Sequence, residues 1–223
     1  FKNISFIAVS QFVMREAEPF INKLPVSVIY NGVDTKYFSP NGIPNKSTDL
    51  ALVTLSALES RKGIQNVISA IIKMNDPKIR YNIYGDGPYK QEIVNIIKSS
   101  KLQDRITLHP SNEDPAQCLN NSDVYVLLSK GEALPLGPLE AMACGLPVIV
   151  SDHHPYDEFI HSDMGFKVNR NSTDSIVEVI SELKNPAIRL RLGSAGRKMV
   201  VKSFTWEHVA SQYYKNMYSD YNV

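Results

Sequence analysis

The feature that most constrains this chain is a pair of apolar runs, Val124 to Leu128 and Val148 to Val150, joined by a short crossover. Both runs are apolar at nearly every position, not at every second one, which marks strands covered on both faces. A crossover holding a helix makes such strands parallel neighbours. Pro138 stands where proline is tolerated in a first helical turn, Gly145 where glycine ends a helix, and Pro147 opens the second run without breaking a ladder. A short helix is predicted over Pro138 to Cys144, and the fold class is α/β, a parallel sheet with helices on both faces.

Ligands of open parallel sheets sit beyond the carboxyl ends of the strands, and the loop Lys130 to Gly137 lies at that end. It places Glu132 ahead of the helix and Glu140 in the first helical turn, so both carboxylates face one crevice with the free amides of the helix start. Read alone, Glu140 is a carboxylate favoured by the helix dipole and Glu132 a solvated loop residue.

The glutamates Glu132 and Glu140, followed by the run AMACGLPVI from Ala141 to Ile149, resemble the pattern of the retaining glycosyltransferases of family 4. Those enzymes have the two-domain GT-B architecture. The resemblance covers about Val26 to Tyr221 and implies a Rossmann-like sheet, the C-terminal half of a GT-B protein. By the same resemblance, Glu132 holds hydroxyls of the donor sugar and Glu140 the ribose of the nucleotide. The backbone of Leu134, Pro135, Leu136 and Gly137 would approach the diphosphate.

Other stretches fit this frame. Ile4 to Val9 reads as a buried strand, Ser10 as a helix cap, Gln11 to Ile21 as a helix with Phe12, Val13, Ala17 and Phe20 on one side, and Val26 to Tyr30 as a strand. Asp49 to Leu55 is a strand, and Ile64, Val67, Ile68 and Ile71 mark a helix by their three-and-four spacing. Arg61 and Lys62 stand just before that helix, where its positive end disfavours cations unless an anion binds between them. The family resemblance matches Lys62 to a lysine that grips donor phosphate. It also shows a departure, since the accompanying arginine is Ala57 here; Arg61 is the candidate substitute.

Ile79 to Tyr84 is a strand running into Gly85-Asp86-Gly87-Pro88, which lacks the third glycine of a dinucleotide fingerprint and argues against NAD. Ile93, Ile96 and Ile97 mark the helix after it, and Ile106 to Leu108 the next short strand. The resemblance places Gly85 and Gly87 near the nucleotide, and His109 to Asn112 near the base. A short helix starts at Pro115. In the loop from Ser151 to Ile160, which the resemblance sets along the donor cleft, adjacent His153 and His154 diverge, which disfavours a shared metal; Glu158 matches a family glutamate. Gly165 to Val168 closes the sheet. Three helices follow: Ser172 to Lys184, Pro186 to Lys202, and Thr205 to about Tyr221, the last rich in aromatic rings.

With 223 residues and a net charge of +1, the chain can bury a large core and gives no electrostatic case for nucleic acid or an anionic membrane. No run reaches the roughly 18 apolar residues of a spanning helix. Cys118 and Cys144 have neither metal nor redox spacing and read as core residues of a reducing compartment. The opening at Phe1, inside a strand-like run, suggests a piece of a longer protein.

On the resemblance, residues 1–24 are the tail of a missing acceptor domain, 25–204 the donor-binding domain, and 205–223 a helix that crosses back. The implied activity is transfer of a hexose from a UDP- or GDP-linked donor to a glycan or glycolipid acceptor with retention. No cofactor and no metal take part, and the setting is cytoplasmic, peripheral at the inner face of the membrane in the full-length protein. Glu132 and Lys62 would be the catalytic residues, and the fragment alone would be inactive. Two other readings are a non-catalytic nucleotide-sugar module, which would explain Ala57, and a glycosidase with Glu132 and Glu140 as its carboxylate pair.

Overall fold

A computed structural model describes residues 5–21, 24–42 and 49–218, with only the backbone for residues 217 and 218. Six parallel strands form the main sheet: β3 (Leu50–Leu55), β4 (Ile79–Tyr84), β5 (Ile106–His109), β6 (Val124–Leu127), β7 (Val148–Ser151) and β8 (Gly165–Val168). The run from Val124 to Leu128 is buried throughout, as its unbroken apolarity predicts. Contacts recover the alternation that the sequence hides. Val124, Val126 and Leu128 pack under α2 (Ile64–Met74), α3 (Lys90–Ser99) and α6 (Thr173–Glu182). Tyr125 and Leu127 pack on the other face under α4 (Pro115–Asn120), α5 (Leu136–Ala143) and α7 (Pro186–Ser203).

The strand order is β5-β4-β3-β6-β7-β8. The chain builds outward from β3 in one direction, then returns to its other side and builds outward again from β6. The reversal leaves a crevice between the carboxyl ends of β3 and β6, where ligands of this class of sheet bind.

The described residues also form a two-stranded parallel sheet, β1 (Phe6–Ala8) with β2 (Val26–Val28), linked through α1 (Gln11–Ala17). Two expectations are corrected here. The first strand is not buried, since Phe6 is 41% and Ile7 38% exposed; Ile4 lies outside the described residues. Helix α1 ends at Ala17 rather than Ile21, because Pro19 has no amide hydrogen to donate to the next helical bond. Its apolar side is not buried, and Phe20 is 86% exposed. The final helix α8 (Trp206–Tyr218) is capped by the Thr205 hydroxyl, which accepts from the amide of His208; Tyr221 lies outside the described residues. Trp206 and Tyr214 remain exposed on it.

Candidate active site

Lys62 follows β3 and Glu132 follows β6, so the reversal of strand order brings together two residues 70 positions apart. Lys62 ends a short 3-10 turn, Ser60–Lys62, and Gly63 then adopts φ +74° to start α2. A Cβ on Gly63 would lie 2.1 Å from the Leu128 carbonyl oxygen. Only glycine lets the turn settle that closely on the end of β6. The Lys130 amide donates to the Arg61 carbonyl at 2.7 Å and fixes the two loops edge to edge.

Across this seam Lys62 Nζ donates to Glu132 Oε1 at 2.6 Å, both side chains being mostly buried. Arg61 turns the same way. Its Nη1 donates to the Gly131 carbonyl at 3.2 Å and lies 3.8 Å from Glu132 Oε1, while its Nε bonds Glu59. The structure thus brings Lys62, Arg61 and Glu132 into one cluster, with both cations on the carboxylate. Removing one partner of such a partly shielded pair costs about 1–3 kcal/mol, between the cost at an exposed pair and at a buried one.

Glu140 is in a different condition. Helix α5 begins at Leu136, two residues before Pro138, so Glu140 stands in the second turn and not the first. The earlier start follows from Pro135, whose extended backbone serves as the cap position. The free amides at the helix mouth are those of Leu136 and Gly137, since Pro138 has none. No side chain among the described residues bonds the Glu140 carboxylate, and burial alone raises its pKa above the usual carboxylate range. Burial, and after it the charges of Tyr156, Glu140 and Glu132, raise the pKa of the Tyr125 hydroxyl, so both carboxylates lie in its neighbourhood. Gly137 is pressed to the same hydroxyl, where a Cβ would approach within 2.2 Å. Leu134 and Pro135 are buried and Leu136 is at the surface.

Beyond the β3 and β4 ends lies a cleft of about 330 Å³ whose wall includes Ala57, Tyr84, Gly85, Ser111 and Glu113. Ala57 leaves this end without the cation that the resemblance expected. Tyr84 stacks on His109 at 4.3 Å between centroids, and burial pushes its hydroxyl up to about 12. His109 is held below by Asn82 at 3.1 Å, while Asn112 is exposed. Gly87 packs under Leu58, and Gly85 under the Ser56 carbonyl, contacts that a side chain would close. Among the described residues no group of three or more His, Cys, Asp or Glu side chains has the placement of a metal site.

A family profile, glycosyl transferases group 1, matches residues 36–199. The chain belongs to that family. Among relatives, the N-acetyl-alpha-D-glucosaminyl L-malate synthase of Bacillus anthracis is 28% identical over 92% of this chain and 57% of its own length. The O-antigen biosynthesis glycosyltransferase WclY of Escherichia coli is also 28% identical, over 90% of this chain and 57% of its own. Among solved structures, HepE of Anabaena in complex with UDP and glucose superposes with a TM-score of 0.87 at 20% identity, over 96% of this chain and 62% of that one. The chain therefore spans about three fifths of the length of these proteins. The Rossmann-like fold is that of the GT-B glycosyltransferases.

In this group 1 glycosyl transferase, Glu158 and Ser10 tie the loops after β7 and β6 to the small sheet. Glu158 accepts from the amides of Gln11 and Phe12, both at 2.8 Å, and from the Tyr30 hydroxyl at 3.0 Å. It caps α1 across 147 positions of sequence. Ser10 accepts from the Val13 amide and donates to the Ala133 carbonyl at 2.8 Å, beside Glu132. The sequence marks Ser10 as a cap; its second bond, into the Glu132 loop, has no local signal. His153 and His154 diverge as expected, His153 Nδ1 toward Ser151 and His154 Nδ1 toward Asp157, each at 2.9 Å.

Proposed function

We propose that this chain is the donor-binding half of a retaining family 4 glycosyltransferase that moves a hexose from a UDP- or GDP-linked donor to a glycan or glycolipid acceptor. The observation that supports it is the Lys62–Glu132 pair, set at the reversal of strand order beside the mouth of α5. Lys62 shifts from Glu132 to the donor diphosphate, and Glu132 is released to accept hydrogen bonds from sugar hydroxyls. One ion pair is exchanged for another, so neither charge is left bare on binding.

As the bond from the anomeric carbon to the phosphate oxygen breaks, negative charge collects on the diphosphate. Lys62, Arg61 and the amides of Leu136 and Gly137 are fixed positive poles for it, without a metal ion. The acceptor oxygen bonds the anomeric carbon on the face the phosphate leaves, and its proton passes to the departing phosphate. Glu132 orients the sugar and forms no bond to it. Glu140 takes the ribose hydroxyls, and the base enters the cleft beside Tyr84. The acceptor is held mainly by the part of the longer protein beyond this chain, cytoplasmic and peripheral to the membrane, so the chain alone turns over little.

A screen of nucleotide sugars by thermal shift tests this reading, because a ligand that prefers the folded state raises the melting point. A UDP- or GDP-sugar should raise it and Glu140→Ala should remove the rise; no response to any nucleotide contradicts the reading. Ala57 favours a second possibility, a non-catalytic donor-binding module. Robust transfer by the full-length protein rules that out.

A further inference from the structure

A cavity of about 400 Å³ opens at the carboxyl ends of β6, β7 and β8, on the side of Lys130 away from the Ala57 cleft. Every residue on its wall is polar or charged, and both signs are present: Lys130 and Arg170 against Asp152, with Asn169 and Asn171 between. Two atoms near it have no hydrogen-bond partner among the described residues, His153 Nε2 and Arg170 Nε.

The proton arrangement at His153 can be worked out. The Ser151 hydroxyl lies 2.6 Å from the Ser129 carbonyl oxygen, a separation that requires its single hydrogen to be there. Ser151 Oγ can then only accept from His153, so Nδ1 carries the ring proton. Burial lowers the ring's pKa and keeps it neutral. Nε2 is therefore a lone-pair acceptor lacking a donor, and Arg170 Nε–H is a donor lacking an acceptor.

An anion would satisfy Arg170 but repel the Nε2 lone pair and Asp152. A cation would meet Arg170 and Lys130. A hydroxyl can donate to one atom and accept from the other. We propose that this cavity is a saccharide subsite, taking a neutral, hydroxyl-rich ring of the acceptor. The proposal rests on the donor-binding reading: Glu132 does not line the cavity, so the ring is not the one assigned to Glu132. Neither orphan atom is open to water, and the exposed rim is Asp152, Asn169 and Asn171; the proposed binding therefore includes a rotation of Arg170 and His153 toward the ring after it meets that rim.

The test is a titration of the isotopically labelled chain, followed by NMR, with methyl α-glucopyranoside, with inorganic sulfate and with UDP in separate arms. The glycoside alone should saturably shift the His153 Nε2 signal and the amides of Asp152, Asn169 and Asn171. Sulfate should not. His153→Phe, and the surface change Asp152→Ala that cannot unfold the core, should each weaken the glycoside about tenfold, the effect of one lost hydrogen bond. Shifts from sulfate but not glycoside, shifts from neither, or unaltered glycoside affinity in both variants would overturn the subsite. UDP reports separately on the donor reading: if UDP binds and the glycoside does not, only the subsite fails, and the converse removes only the donor reading.

Discussion

The two ends of the crevice differ in where their charge lies. At the β3–β6 seam, Lys62 and Arg61 both turn onto Glu132, and the carboxylate is compensated. At the cleft by β4 and β5, Ala57 supplies no cation, and Glu140 on α5 is half-buried with no side-chain partner among the described residues. The positive charge of Lys62 and Arg61 is thus gathered on Glu132, while the cleft by β4 and β5 is lined by Tyr84, by loop backbone and by the carboxylates of Asp86 and Glu113. On the proposed reading, phosphate affinity depends on that single seam, where the resemblance would have divided it between two.

The largest effect should come from removing that seam's cation. Lys62→Ala is expected to lower kcat/KM of the full-length protein by about 10²–10³, as loss of a fixed group that stabilises transition-state charge does. Initial rates with donor varied measure it, and a loss below about threefold would break the asymmetry. Next, Glu140→Ala should weaken nucleotide binding about 10–100-fold, the cost of hydrogen bonds to a charged acceptor. Calorimetry on the chain checks it.

Ala57→Arg should sharpen the contrast in the other direction, tightening diphosphate binding about tenfold by adding one charge-assisted contact. If affinity does not change, Arg61 already occupies that role. The smallest effect is on pH. Glu140's folded pKa is raised, so ionising it costs stability: the penalty is absent below the unfolded value, grows as pH rises from that value to the folded one, and is constant above it. Glu140→Gln should therefore raise the melting temperature at neutral pH by a few degrees and lose that advantage in acid. Nucleotide affinity of the unaltered chain should decline on acidification sooner than an ordinary glutamate would allow.

Much of the fold was legible because burial on both faces leaves an unbroken apolar run, as at Val124 to Leu128, and because Pro138, Gly145 and Pro147 bracket the crossover. What local pattern cannot carry is the pairing of remote loops. Nothing near Lys62 announces that Gly63 seats it on the Leu128 carbonyl, and nothing near Glu158 announces that its carboxylate caps α1. The Glu140 turn was misplaced for a related reason, since Pro135 and Pro138 are both acceptable near a helix start and only the structure shows which one begins it. The small sheet misled because Phe6 and Ile7 read as core yet face outward.

The most direct measurement of the central claim is a crystal structure of the chain with a nucleotide sugar bound. The account predicts Lys62 Nζ moved from Glu132 onto a diphosphate oxygen, Glu132 on sugar hydroxyls and Glu140 on the ribose. A donor bound elsewhere, or one bound here with the Lys62–Glu132 bond intact, would contradict it.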